Sequence, residues 1–180
     1  MHLSVFQLMV MYLAFAPRRS TSLNANIMQT LKTLQGPGVV WGSAGVPLGH
    51  EENEIKGYDN FDSLVKFIES AGLADALAGG GPYTVFAPVN SAFEGVSSVS
   101  ADVLRYHVVP GKIMASQIDK DLPTALQGKS LTYSRKFRKT FVDDAIVGQE
   151  DNFGGGSKFP KDIVCDNGVI HAISSILEPK

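Results

Sequence analysis

The sequence predicts an α+β fold, with helices in the N-terminal half and a β-rich C-terminal part. Apolar residues recur at helical spacing from Phe61 to Leu77. Two later segments, Tyr83–Pro88 and Val169–Leu177, are apolar runs rich in β-branched or aromatic residues, as in buried strands. Because the helices come first and the strands follow, the order favours α+β over alternating α/β.

Size and composition exclude several function classes. The chain has 180 residues, which fits one domain plus extensions, and its net charge of −2 does not suggest nucleic-acid binding. The lone Cys165, which we expect to be a buried thiol, excludes an intramolecular disulfide and a multi-cysteine metal site. The four histidines lack the spacing of metal ligands. We therefore expect neither a metal nor a cofactor.

Residues 1–25 have the composition of a targeting presequence. Leu3–Ala14 is apolar but shorter than the roughly 20 residues that span a bilayer, and it matches the core of a signal peptide. Arg18–Ala25 contains Arg, Ser and Thr without acidic residues, as transit peptides do. With Phe15-Ala16-Pro17 between them, the two parts resemble the bipartite plastid presequence of red-lineage algae, which implies a plastid location, stromal rather than lumenal. The alternatives are a simple secretory signal and an uncleaved apolar helix.

Residues 26–57 are predicted to form a short helix followed by a docking arm. Ile27, Met28, Leu31 and Leu34 have helical spacing. Seven of the fourteen residues of Gly36–Gly49 are Gly or Pro, so we expect no regular helix or strand there. Apolar side chains on such a segment need a surface to lie on, which predicts either contact with a partner protein or packing on the chain's own domain. These partner-binding candidates are Val39, Val40, Trp41, Val46 and Leu48.

After residue 58, the helices and strands are predicted from helix N-cap residues and from Gly and Pro residues that end each element. Asp59 or Asn60 is a candidate N-cap for one or two helices ending at Gly79–Pro82. After the strand Tyr83–Pro88, Asn90 or Ser91 is expected to cap a helical turn that holds Phe93. Val103–Val109 is predicted as a helix leading into a strand, and Lys129–Leu177 as strands with turns. Asn167-Gly168 predicts a tight turn, because both residues tolerate φ > 0.

Three ordered segments resemble the signature blocks of fasciclin-like domains. Gly81–Phe93 is similar to the first block, Leu104–Gly111 to the central Tyr-His block, and Asn167–Ile173 to the second block. The resemblance spans Tyr58–Pro179 and implies a single fasciclin-like domain at 58–180, with N-terminal helices packed on a C-terminal β-rich wedge. It also implies structural roles for the motif residues, which are Thr84, Phe86, Pro88, Asn90, Phe93, Tyr106, His107, Asn167, Gly168 and His171.

Catalysis is not expected. His107 and His171 could in principle serve as bases for Ser91, Ser174 or Ser175, but no spacing indicates such a pair and no G-x-S-x-G elbow occurs. A histidine within an apolar strand is more often a buried residue with a backbone hydrogen bond. We expect no catalytic residue and no small-molecule substrate.

Four cations stand within five residues: Arg135, Lys136, Arg138 and Lys139. In a single strand, Phe137 would share a face with Arg135 and Lys139. Such a cluster suits an acidic protein surface or lipid phosphates. The slightly favoured alternative is a solvated edge strand that its lysines protect from aggregation. The cluster lacks the aromatic platform of a nucleic-acid site.

Together these features predict a non-catalytic, protein-binding or scaffolding module in a plastid. An accessory subunit of a thylakoid photosynthetic complex, with peripheral membrane contact, is one such role. The alternative is a secreted adhesion module at the cell surface.

Overall fold

The computed structural model describes residues 25–40, 55–136, 139–148 and 160–180. The predicted presequence, apart from Ala25, and the predicted site residues Trp41, Val46, Leu48 and Arg138 lie outside these ranges. The described helices are α1 (Ile27–Thr33), α2 (Asp62–Ser70), α3 (Ala74–Gly79) and α4 (Ala101–Tyr106), with 3₁₀ turns at Asn90–Phe93 and Ala115–Gln117. None of them is long and apolar enough to cross a bilayer.

The strands form one main sheet and two small ones. They are β1 (Gly38–Val40), β2 (Ile55–Tyr58), β3 (Tyr83–Pro88), β4 (Val108–Pro110), β5 (Leu122–Pro123), β6 (Ser130–Leu131), β7 (Tyr133–Lys136), β8 (Lys139–Val142), β9 (Ala145–Val147), β10 (Ile163–Cys165) and β11 (Gly168–Ile173). The main sheet has the order β4-β3-β11-β9-β8-β7, with β10 also paired to β11. This architecture confirms the predicted α+β fold.

The central strands β3 and β11 run parallel and are buried on both faces. Their register joins Tyr83 to Gly168 and Pro88 to Ile173. Val85 and Ile170 belong to a core shared with the helices, whereas Phe86 and Ile173 belong to a second core with β8 and β9. Both strands are therefore largely apolar along their length, without the alternation of apolar and polar residues expected of a strand with one solvent-exposed face.

Helix α1 packs into the same core as the elements after residue 58. Asn26 caps it in a capping box with Gln29. Ile27, Met28 and Leu31 are buried in one cluster with α2 and α3. The amphipathic pattern of this helix therefore reflects burial within the domain.

The cap of α2 differs from the sequence expectation. Neither Asp59 nor Asn60 caps it, and its N-cap residue, Phe61, makes no side-chain cap hydrogen bond. Instead the Asn90 Oδ1 accepts from the Ser63 N–H at 2.8 Å. Asn90 therefore caps α2 across the fold, while its own 3₁₀ turn has no side-chain cap.

The expectation of no regular strand in the Gly/Pro-rich arm was wrong at its start. Gly38–Val40 pairs antiparallel with Ile55–Tyr58. The base of the arm is fixed by two bonds, from the Gly36 N–H to Asn60 Oδ1 and from the Asp59 N–H to the Pro37 carbonyl. A Cβ on Gly36 would lie 1.7 Å from the Asp59 carbonyl oxygen, so only glycine allows this close approach.

Candidate functional site

His107 joins the end of α4 to the C-terminal segment. Its Nδ1 lies 2.8 Å from the Val103 carbonyl and therefore carries the proton that it donates. Its Nε2 accepts from the Leu177 N–H at 2.9 Å. Burial lowers the pKa of His107 from 6.5 to about 4, against a smaller opposing effect of the Val103 bond. Both ring nitrogens are occupied, so the ring offers no free base.

His171 has an equivalent arrangement on β11. Its Nε2 donates to the Ile113 carbonyl at 2.8 Å, and its Nδ1 accepts from the Asp162 N–H at 3.1 Å. Burial lowers the pKa of His171, so the Asp162 carboxylate, 3.9 Å away, faces a neutral ring. That carboxylate accepts from the Ala115 N–H at 2.6 Å.

The serines considered for catalysis bond elsewhere. The Ser91 hydroxyl donates to Asp59 Oδ2 at 2.5 Å. The hydroxyls of Ser174 and Ser175 lie 3.4 Å from each other. None of these hydroxyls lies in a hydrogen bond with a histidine among the described residues. These serines and histidines therefore do not form, within the described part of the chain, a nucleophile–base pair of the kind covalent catalysis needs.

Tyr106 links α4 to the β8–β9 turn. Its hydroxyl lies 2.9 Å from Asp143 Oδ2 and 3.0 Å from the Ser130 carbonyl, so these two acceptors share its single proton. Burial, followed by the Asp143 bond and charge, raises the pKa of Tyr106. Asp143 adopts φ 50° between β8 and β9, and its Oδ1 accepts from the Thr132 N–H.

The Asn167-Gly168 motif works differently from the predicted turn. The turn between β10 and β11 consists of Asp166 and Asn167, and Gly168 is already in the strand without a positive φ. Asn167 Oδ1 accepts from the Ile27 N–H, and Nδ2 donates to the Leu77 and Gly80 carbonyls. A Cβ on Gly168 would lie 2.1 Å from the Tyr83 carbonyl oxygen. This glycine is needed for close strand approach.

The other motif residues hold the first block in place. The Thr84 hydroxyl donates to the Gly111 carbonyl at 2.7 Å and accepts from the Ile113 N–H at 2.9 Å. Phe86 and Pro88 are buried in β3. The Phe93 ring packs on Phe67 with centroids 5.2 Å apart.

The basic segment does not form the single strand considered from the sequence. It spans the end of β7 and the start of β8, which pair as a hairpin. β7 ends at Lys136 and β8 begins at Lys139, and these two lysines are cross-strand partners. Arg135 and Lys136 are exposed and Lys139 is half-buried. β7 is the last strand of the main sheet, so the structure places three of the four predicted cations together at its end. We call Arg135, Lys136 and Lys139 the basic tip.

The arm candidates are only partly located. Val39 and Val40 lie in β1, and Trp41, Val46 and Leu48 are outside the described residues. Among the described residues, no group of His, Cys, Asp or Glu could hold a metal ion. Cys165 is a buried thiol whose pKa is raised by burial.

The sequence did not predict the hydrogen-bonding roles of two residues, Asp143 and Asp162. Asp143 could have been found, because Asp143-Asp144 between two apolar segments is a turn signal that tolerates the left-handed region. Asp162, with φ 56°, gives no local signal because its partners are His171 and Ala115.

Comparisons with known proteins show that the chain resembles one family of domains. The profile described as "Fasciclin domain" matches residues 59–179. "Protein sll1483" of Synechocystis is 34% identical over 136 residues, covering 68% of this chain and 69% of that protein. "Transforming growth factor-beta-induced protein ig-h3" of Sus scrofa is 32% identical over 145 residues, covering 74% of this chain but only 20% of that longer protein.

A solved structure shows the same fold. It is the FAS1 domain pair of the insect cell adhesion molecule Fasciclin I, with a TM-score of 0.55 and 13% identity. The match covers 86% of this chain and 51% of that one.

Proposed function

The chain belongs to the fasciclin domain family, whose domains are interaction modules rather than enzymes, and we propose that it binds an acidic protein surface through its basic tip. The observation that carries this proposal is the clustering of Arg135, Lys136 and Lys139 at the end of the main sheet. The rest of the chain is acidic on balance, so these cations are a local exception.

The cross-strand pairing of Lys136 with Lys139 supports this role. Like charges placed directly opposite one another destabilise a hairpin. An acidic partner would remove that repulsion on binding, and arginine and lysine at an interface rim steer association. Arg138 adds a fourth cation in the same segment of the sequence.

A pair of charge reversals tests the basic tip. The variant R135E/K136E is expected to bind the proteins that co-purify with the native chain more weakly, and its residual binding should depend less on salt. The matched control K66E/K120E reverses two exposed lysines elsewhere and should keep them. Equal retention by both variants would exclude the tip as the interface.

We further propose a plastid location, with a thylakoid membrane complex as the partner. The support is the resemblance of residues 1–25 to a bipartite presequence. The competing location is the cell surface, which the adhesion role named for the insect structure favours. A fluorescent reporter fused behind Met1–Ala25 should label plastids, whereas labelling of the exterior would support secretion. A protein that never fractionates with thylakoids would contradict the complex.

The arm is proposed as a second contact. Its base is held by Asn60 and by the β1–β2 pairing, which would present the following residues from a fixed point. We expect W41A to weaken partner association with little change in thermal stability. A large loss of stability would mean instead that Trp41 packs on its own domain.

A further inference from the structure

An apolar cavity opens between the helices and the central strands. It has a volume of about 170 Å³ and lies between α2, α3, α4, β3 and β4. Its wall includes the buried side chains Leu64, Ile68, Leu77, Val85, Leu104 and Val108. Among the site residues predicted from the sequence, His107 alone lines the cavity within the described part of the chain.

The wall of the cavity carries a single charged side chain, Arg105. His107 also lines it, but the bonds of its ring nitrogens to Val103 and Leu177 leave it neutral and occupied. Arg105 is half exposed, which places it towards solvent, and its Nη1 donates to Asp102 Oδ1 at 3.0 Å. A guanidinium has five N–H donors, so Arg105 can bind a second carboxylate beside Asp102.

The size of the cavity limits its occupant. An apolar cavity of about 150 Å³ stays dry and takes up a benzene-sized molecule. The present cavity therefore suits one aromatic ring or a short aliphatic chain. A cation at the mouth of an apolar pocket orients a ligand that has one anionic end.

We propose that this cavity binds a small monocarboxylate, with its apolar body between Leu77, Val85 and Val108 and its carboxylate on Arg105. The site is independent of the basic tip, which lies at the end of the main sheet opposite β4. The negative charge of Asp102 repels the ligand carboxylate beside it and thereby weakens binding.

Octanoate and 1-octanol are the probes, because they differ at the polar end while sharing a chain. Octanoate titrated into the full chain should shift the methyl NMR signals of Val85 and Val108 saturably and bind several-fold more tightly than 1-octanol. R105Q should lower the affinity for octanoate to that for 1-octanol, and D102N should raise the affinity for octanoate. R135Q, which removes the same charge at the basic tip, should change neither.

Closing the mouth gives a second test. Ala125 lines the cavity and is exposed, so A125F should block entry without disturbing the core. Thermal denaturation checks that each variant is folded. The proposal is overturned if octanoate does not bind, if R105Q and R135Q bind it equally, or if folded A125F binds it as the native chain does.

Discussion

At the scale of single residues, the two buried histidines act as connectors between distant parts of the chain. His107 joins α4 to Leu177, and His171 joins Ile113 to Asp162. Each ring makes one donor and one acceptor bond, which only the neutral form can do. Protonation would break the acceptor bond and bury a charge. These residues therefore make the stability of the fold dependent on pH.

We expect the free energy of unfolding to fall as the pH is lowered from about 6.5 towards 4. His107 has a folded pKa of about 4 against an unfolded value of 6.5, so the unfolded chain binds the proton first in this range. The contribution is fully present above pH 6.5, and its loss by pH 4 is on the order of 3 kcal/mol. The lowered pKa of His171 acts in the same direction.

Urea unfolding of the native chain at several pH values between 7.5 and 4 measures this loss. The H107Q/H171Q variant, although less stable at neutral pH, should show a shallower pH dependence across the same range. A native chain whose unfolding midpoint does not move between pH 6.5 and 4 would contradict the assignment.

Gly168 supplies a second prediction at this scale. In G168A the new methyl group would meet the Tyr83 carbonyl and the Ile27 side chain, and β11 would have to move away from β3. We expect a loss of roughly 1–3 kcal/mol in the free energy of unfolding. G79A is the matched control, since a Cβ there meets nothing within 4 Å at the end of α3. Equal stability of the two variants would show that the sheet absorbs the methyl group.

At the scale of elements, hydrophobic periodicity predicted the helices and strands that depend on residues near in sequence. It did not predict the contacts between residues far apart in sequence. The helix at Ile27, the helices from Asp62 to Gly79 and the strand Tyr83–Pro88 follow from local patterns. The cap of α2 could not be predicted, because Asn90 reaches it only after the chain has folded. The same holds for the cavity at Arg105, which needs the packing of three helices on the sheet.

Helix α1 is the element whose removal tests the domain most directly. Ile27, Met28 and Leu31 are buried in the helical core, and the Thr30 hydroxyl lies 3.3 Å from the Cys165 thiol. Its N-terminus also bonds Asn167 and Asp166. We expect a chain lacking residues 1–34 to lose cooperative unfolding and to expose Cys165 to thiol reagents.

The control is a chain lacking residues 1–24, which keeps the Asn26 cap and every one of these contacts. It should unfold cooperatively and keep Cys165 unreactive. If the shorter chain without residues 1–34 behaves identically, α1 does not contribute to the core. Calorimetry and the rate of thiol modification distinguish the two results.

At the scale of the whole molecule, the main sheet has a buried centre and an exposed end. The strands β3 and β11 separate two hydrophobic cores and are buried on both faces. The β7–β8 hairpin lies at the edge, with exposed cations and the like-charged pair Lys136 and Lys139. Buried apolar contact is what holds a segment closed, so stability should decline along the sheet from β11 to β7.

Amide hydrogen exchange should reveal this gradient. The amides of β3 and β11 are expected to exchange only through global unfolding, and those of the β7–β8 hairpin through local opening at lower free energy. K136E converts the repulsive pair with Lys139 into an attractive one and should slow hairpin exchange by an amount corresponding to roughly 0.2–1 kcal/mol. It should leave β3 and β11 unchanged, and K136Q should give an intermediate effect. Hairpin amides as slow as those of β11 would instead mean that the sheet opens as one unit, with the basic tip as rigid as the core.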